Sequence, residues 1–489
     1  MRVETVLAID VGTTALKGVV LARSGEVLAN AEVALSTSRP AEGHVEQDAE
    51  SWWQALTTLC RDWTRAEVDL LGVRALILTG QMQDVVLTRE AVPTTPAILY
   101  SDLRAEQEAG DVAARLGLDL AVVTGNPFTA ASVLPKLLWL SRHAPQVLTG
   151  RPRLHVGAKD VLIERLCGAH VTDHTTAATT GLYDLAGGDW REDWLSTLVP
   201  GVQLPELRWP QEVAGRLPAA VARHLGLPDD LPVLTGLGDA GATTLGAGVS
   251  RPGEHYLYLG TSGWVGTVHP QGVGRPEQGF RLPLLTPEDW LVVAPISNAG
   301  SAHRWAAETF AEGSFERLEA LMTLAPASDL LCLPYLTGER SLTQELHTQG
   351  VFLGVDGHTR RGSLARAVLE GVAFTLRETA ERLGPRLTGQ QSLTMLGGGA
   401  RSAAWRGIIS GVFGTSVQVP EQPSLLPVLG GAYPAFRHLG WSGSFADYQR
   451  QVLTVQLSAV QALVPEGAAH YDRQYRRFQA ARTALHTLW

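Results

Sequence analysis

The feature that most constrains this chain is an internal repeat. Gly12-Thr13-Thr14-Ala15-Leu16-Lys17-Gly18-Val19-Val20 can be laid over Gly260-Thr261-Ser262-Gly263-Trp264-Val265-Gly266-Thr267-Val268. Gly, Thr, a hydroxyl residue, a second Gly and a final Val coincide at identical spacing, with about half of the 489-residue chain between the copies. Each copy follows a strand-like run, TVLAID (5–10) or EHYLYL (254–259), and precedes another. Two similar hairpins arising by chance would look the same. A duplicated domain, each copy opening with strand, glycine turn and strand, accounts for the spacing as well. The repeat predicts a boundary in LGAGVSRPG (245–253), hence domains over 1–247 and 248–489.

Around the first copy the pattern is that of an α/β layer with a mixed sheet. LKGVVLA (16–22) and EVLANAEVAL (26–35) read as strands joined at Ser24-Gly25. Asp48 offers a helix N-cap, and Trp52, Leu56, Leu59, Cys60 and Trp63 then recur at helical spacing. VRALILTG (73–80) reads as a buried strand. In the second half, 363–384 carries an apolar helical stripe through Leu364, Val368, Val372 and Leu376. Strand SLTML (392–396) runs into GGGARSAAW (397–405), a further helix and strand TSVQVP (415–420), and a final helical pattern covers 427–439.

Glycine lets backbone N–H groups approach an anion closely, and hydroxyls add donors. Two facing Gly-Thr turns are therefore suited to clamp a polyphosphate. Asp10, at the end of the first strand, would organise hydrated Mg²⁺ there, or merely cap the turn. GLGDAGA (236–242) formally matches a dinucleotide-binding loop, but it lies late in its domain and puts Asp239 where an anion would sit. A carboxylate on such a loop can instead act as a general base for a hydroxyl nucleophile, or be a turn residue. GGGARSAAW suits either a purine seat or a tight turn. His170 and His174 lack a third metal ligand and read as packing, and Trp52-Trp53 reads as core.

Net charge is −9 and the isoelectric point about 5.9, which argues against a general nucleic-acid binder. Hydrophobic residues make up 45% and charged residues 18%, enough apolar material for large cores. Cys60, Cys167 and Cys332 are far apart, so neither a disulfide framework nor a Cys-rich zinc site is expected and a reducing cytoplasm fits. No apolar run reaches the ~18 residues of a membrane span, and the N-terminus lacks signal-peptide character. The P-loop, zinc-protease and nucleophile-elbow motifs are absent.

The segments IDVGTTALKG (9–18), HVEQDAESWW (44–53), TGQMQD (79–84), YSDLRA (100–105), GLGDAGA (236–242), LGTSG (259–263), LPYLTGERS (333–341), 350–374 and GGGARSAAW (397–405) resemble, in this order, the FGGY family of carbohydrate kinases. The resemblance implies two actin-like (ribonuclease-H-like) α/β domains with mixed sheets around a central cleft. Sugar would bind mainly to the first and ATP mainly to the second. It implies Asp239 as catalytic base and Asp10 as the Mg²⁺ residue. It implies Gly12, Thr13, Thr14, Gly260, Thr261 and Ser262 at the phosphates. Gly398, Gly399, Ala400 and Arg401 would border the adenosine, with Gly300 facing the nucleotide. Gln81, Met82, Gln83, Asp102, Arg104, Asp239 and Ala240 would form the sugar site.

Length and TGNPFTAASVLPKLLWL (124–140) look most like the xylulose-kinase branch, which usually has His at the position of Gln83 and Asn at that of Ala240. Those departures put the sugar in question, leaving gluconate or another pentose or polyol open. Ser363 replaces a usual acidic, amide or His residue, read here as a helix-cap change. The expected partners are a small sugar and ATP, with no nucleic acid or membrane; a homodimer is compatible. Two other classes remain: an actin-like ATP-dependent binding module and a nicotinamide-dependent oxidoreductase.

Overall fold

The computed structural model describes residues 2–117, 119–270, 279–325, 328–336, 338, 349–384, 392–454 and 468–485. Each half is organised on a six-stranded mixed sheet. The first uses β1 (Thr5–Val11), β2 (Ala15–Ala22), β3 (Val27–Ala34), β4 (Val73–Gly80), β5 (Val213–Arg216) and β6 (Pro232–Gly238). The second uses β7 (His255–Leu259), β8 (Gly263–Pro270), β9 (Phe280–Pro283), β10 (Asp289–Ile296), β11 (Ser392–Leu396) and β12 (Ser416–Gln418).

Their strand orders are β5-β6-β4-β1-β2-β3 and β9-β10-β8-β7-β11-β12. In both, an antiparallel hairpin pair continues through the first strand into two parallel neighbours. The five strands β3-β2-β1-β4-β6 thus recur as β10-β8-β7-β11-β12, the ribonuclease-H-like order, and each half adds one antiparallel edge strand. Every residue of β1 is buried, as a central strand covered on both faces requires.

The helices cover these sheets. Asp48 caps α1 (Ala49–Arg65) by accepting from Glu50 N–H at 3.0 Å. Trp52 is fully buried on it, while Trp53 stacks on His224 and carries Arg165 over its face. The long helix Arg361–Leu383 runs through the second core. Its N-cap is Arg360, so Ser363 is the third helical residue and not a cap, which corrects that expectation. The pattern over 427–439 forms two short helices, Leu426–Gly431 and Tyr433–His438.

The halves share a core in which Val6, Ala8 and Leu234 meet Tyr256, Leu291 and Leu429. At its centre helix α2 (Asp239–Gly246) crosses Leu426–Gly431 in backbone contact. A Cβ on Gly430 would stand 2.0 Å from the Ala242 carbonyl, and one on Gly246 would stand 2.2 Å from that of Leu426. The helix that begins with Asp239 is therefore held by both halves. LPYLTGERS lies partly outside the described residues.

Candidate active site

Parallel pairing brings the chemistry to one edge of each sheet. β1 and β6 flank β4 in parallel, so Asp10 near the end of β1 and Asp239 just beyond β6 emerge on the same side. β7 and β11 are parallel neighbours, so the Gly260 and Gly398 turns likewise emerge together. Carboxyl ends of strands are where open α/β sheets place ligands.

Three cavities follow each other along this edge. The first, about 330 Å³, is lined by Met82, Gln83, Asp239 and Ala240, together with Tyr100 and Thr179. The second, about 670 Å³, is lined by Asp10, Gly12, Lys17, Asp239 and Arg401. The third, about 800 Å³, is lined by Gly260, Thr261, Gly300, Gly398, Gly399 and Arg401. Asp239 borders the first and second; Gly398 and Arg401 border the second and third. Ala400 lines the second.

The electrostatics single out two carboxylates. Burial raises the pKa of Asp239 to about 7, with the charge of Asp10 adding to the rise and the Ala240 N–H opposing it. Burial raises Asp10 to about 6 against the pull of Lys17, its cross-strand partner. Oδ1 of Asp10 is buried without a hydrogen-bond partner. Such an atom suits a hydrated cation or a proton.

Behind Asp239 lies a buried ion cluster. Lys159 Nζ contacts Asp160 at 2.7 Å and Asp173 at 3.0 Å, and all three side chains are buried. Asp173 accepts from Thr176 N–H at 3.1 Å and Thr176 Oγ1 at 2.6 Å. The N–H of Gly238, the residue before Asp239, lies 3.4 Å from the same carboxylate. On the second half, Gly300 N–H donates to the Gly260 carbonyl at 2.8 Å and Ser301 N–H to that of Thr261 at 2.9 Å. The start of α3 (Gly300–Ala311) thereby abuts the second glycine turn.

Six sequence-predicted residues do not line these cavities. Thr13 donates to Gln81 Oε1 at 3.1 Å, and Gln81 donates to Gln47, which also accepts from Trp52. This network ties the first turn to α1. Asp102 accepts from Val45 N–H and from Arg104, whose guanidinium also reaches Glu46 at 2.7 Å and lies over Trp139. Asp102 and Arg104 thus saturate one another. Thr14 and Ser262 are exposed on their turns. His170 bonds to the Leu154 carbonyl, and His174 bonds to Tyr183 and stacks on Trp209, so both pack.

The model of the FGGY family of carbohydrate kinases matches this chain with its N-terminal domain over 5–246 and its C-terminal domain over 255–439. The chain belongs to that family. As an FGGY kinase it is an enzyme of the sugar-phosphorylating class. It is 33% identical to a xylulose kinase of Escherichia coli over 87% of this chain and 88% of that one. Xylulose kinase of Rhodospirillum rubrum superposes with a TM-score of 0.87 at 28% identity, covering 99% of both chains. Gluconate kinase of Lactobacillus acidophilus gives 0.86 at 26% identity, over 99% of this FGGY kinase and 98% of its own chain.

Sequence reasoning missed Tyr100, Trp264 and Phe280 at the first cavity, Lys17 at the second, and Arg304 and Phe315 at the third. Tyr100 opens the segment YSDLRA already singled out, and Trp264 lies within the repeat. Phe280 and Phe315 carry no local signal.

Proposed function

We propose that the chain transfers the γ-phosphoryl group of ATP to a hydroxyl of a small neutral sugar, with D-xylulose the favoured acceptor. The observation that carries this reading is the position of Asp239 between the first and second cavities. A sugar hydroxyl in the first would meet a phosphoryl group in the second beside that carboxylate. Asp239 would accept the hydroxyl proton as the new bond forms, a role worth ~10²–10⁴-fold. A base that titrates near 7 is matched to neutral pH.

The second cavity would hold the phosphates through the backbone at Gly12 and the charges of Lys17 and Arg401. The third would take the adenosine along Gly398, Gly399 and Arg401, with Gly260 and Thr261 turned to the phosphates. In domain terms, 1–247 would carry the acceptor and base, and 248–489 mainly ATP. Asp10 fits Mg²⁺ through its unpartnered buried oxygen. Among the described residues no cluster of three metal-ligating side chains occurs, so the triphosphate would share the ion with Asp10. A bound Mg²⁺ would neutralise phosphate charge.

Three free cysteines fit a cytoplasmic enzyme, and among the described residues no helix is long and apolar enough to cross a membrane. Likeness to a gluconate kinase supports a second reading with gluconate as acceptor. The test is ADP release from Mg·ATP across pentuloses, pentoses, hexoses, gluconate and polyols, with Asp239→Asn as control. One strong, Asp239-dependent acceptor supports the reading; a flat panel with intact ATP binding overturns it.

A further inference from the structure

Trp264 stands on β8 directly opposite Tyr258 of β7. The two rings stack with centroids 3.8 Å apart and planes 8° apart. The indole N–H donates to the Tyr256 hydroxyl at 3.2 Å. That hydroxyl is also bonded at 3.1 Å by Thr244, on the helix that begins with Asp239. The ring is thus pinned by a cross-strand stack on one face and a hydrogen bond at its edge. It has little rotamer freedom left to lose when a ligand arrives.

Its remaining surface borders both the first and the second cavity, a position it shares with Asp239 and Thr243. The two sides of the first cavity differ in character. Gln83, Tyr100, Thr179, Asp239 and Thr243 supply its polar groups from the first half of the chain. The second half contributes Trp264, Phe280, Leu282 and Val293 with Tyr256, whose hydroxyl is engaged by Trp264 and Thr244, an almost wholly apolar wall. At about 330 Å³ the cavity lies at the small end of ligand sites.

We propose that Trp264 is the specificity-determining residue for acceptor length: its indole closes the first cavity against the C–H side of a short neutral polyol chain whose hydroxyls face Gln83, Thr179 and Asp239. This rests on the kinase reading above. A fixed ring suits the hydroxyl-poor side of a sugar, and it cannot swing aside for additional carbons. An apolar wall of this kind discriminates by ~10–200-fold per carbon unit. Removing it relaxes the limit on length while leaving the third cavity, the adenosine site, which Trp264 does not line, unchanged.

The experiment measures kcat/KM for neutral ketoses and polyols of four to seven carbons in the wild type, Trp264→Phe and Trp264→Ala. The expected result is a shift of the six- to five-carbon ratio by about tenfold or more toward the longer acceptor in Trp264→Ala. Trp264→Phe should be intermediate and the affinity for adenosine, which the third cavity would take, unchanged. An unchanged ratio in active variants overturns the assignment. Should Trp264→Ala fail to fold, Trp264→Phe still decides: acceptor binding should quench tryptophan fluorescence in the wild type and lose that component in the variant. Equal quenching in both overturns the proposal. If no acceptor gives Asp239-dependent turnover in the wild type, the kinase reading falls and the length role with it. Asp239-dependent turnover with an unmoved ratio removes only the role of Trp264.

Discussion

Asp10 and Asp239 line the same cavity, and the charge on Asp10 helps to hold the Asp239 carboxyl at a pKa of about 7. The first residue comes from the opening strand, and the second directly follows the last parallel strand of the same sheet. Their proximity is a product of pairing order, with one β-strand between them.

The raised pKa sets a pH dependence for catalysis. A general base must be unprotonated, so kcat/KM should fall below about pH 7 and approach a tenfold loss per unit in more acidic solution. A pH–rate profile with the preferred acceptor checks this. A profile flat from pH 5.5 to 8 would rule out Asp239 as the titrating base.

The same shift works on stability with the opposite demand. The folded chain holds the Asp239 proton more tightly than the unfolded chain, whose carboxyl titrates near 3.8. Ionisation therefore opposes folding, and this penalty grows as pH rises from about 4 to about 7. Asp239→Asn should melt above the wild type at pH 8, with the difference vanishing toward pH 4, while turnover drops ~10²–10⁴-fold and ATP binding persists. Calorimetry at the two pH values, beside single-turnover assays, reads both effects.

Adjacent glycines of the third cavity should respond differently. A Cβ on Gly398 meets nothing within 4 Å, whereas one on Gly399 would stand 2.6 Å from the Trp405 ring. Gly398→Val should raise the KM for ATP with little change in melting temperature. Gly399→Ala should destabilise the fold by about 1–3 kcal/mol through overpacking. Melting curves and ATP titrations of the two variants separate ligand space from packing space.

Gln83 and Ala240 both line the first cavity, and Gln83 holds a left-handed backbone with φ of 65°. Gln83→His with Ala240→Asn should raise kcat/KM on D-xylulose by about tenfold, since paired polar contacts discriminate strongly. Gln83→Val should instead weaken the fold, because a β-branched residue resists that backbone. An unchanged kcat/KM in the double variant would show that these positions do not set the sugar preference.

Lys159 is buried between Asp160 and Asp173, and Asp173 lies against the N–H of Gly238. Lys159→Met would leave two buried carboxyls without their cation, at a cost of about 3–5 kcal/mol. Chemical denaturation measures the loss directly; a change under about 1 kcal/mol would mean that the two carboxyls do not depend on Lys159 for their burial.

Much of the architecture was legible because it rests on local patterns. Continuous apolar runs marked β1 and β4, the Asp48 cap and helical spacing marked α1, and the Gly12 and Gly260 turns revealed the duplication. The helical pattern over 427–439 was read as one element because periodicity does not register the break near Gly431 and Ala432. There a neighbouring helix backbone approaches at Gly430, a packing constraint from the other half of the chain.

By itself the sequence determined the fold family, the two glycine turns and the placement of Asp10 and Asp239 at the ends of their strands, since each is a matter of residue type at fixed local spacing. Only the tertiary structure decided which polar side chains face the cavities. Asp102 and Arg104 looked like ligand contacts in YSDLRA but turn inward, because a buried carboxylate and guanidinium are each other's least costly partners. Trp264 looked like another strand residue, and it became a cavity wall through its pairing with Tyr258. Burial, which depends on every element packed around a group, is also what moved the carboxyl of Asp239 to about 7.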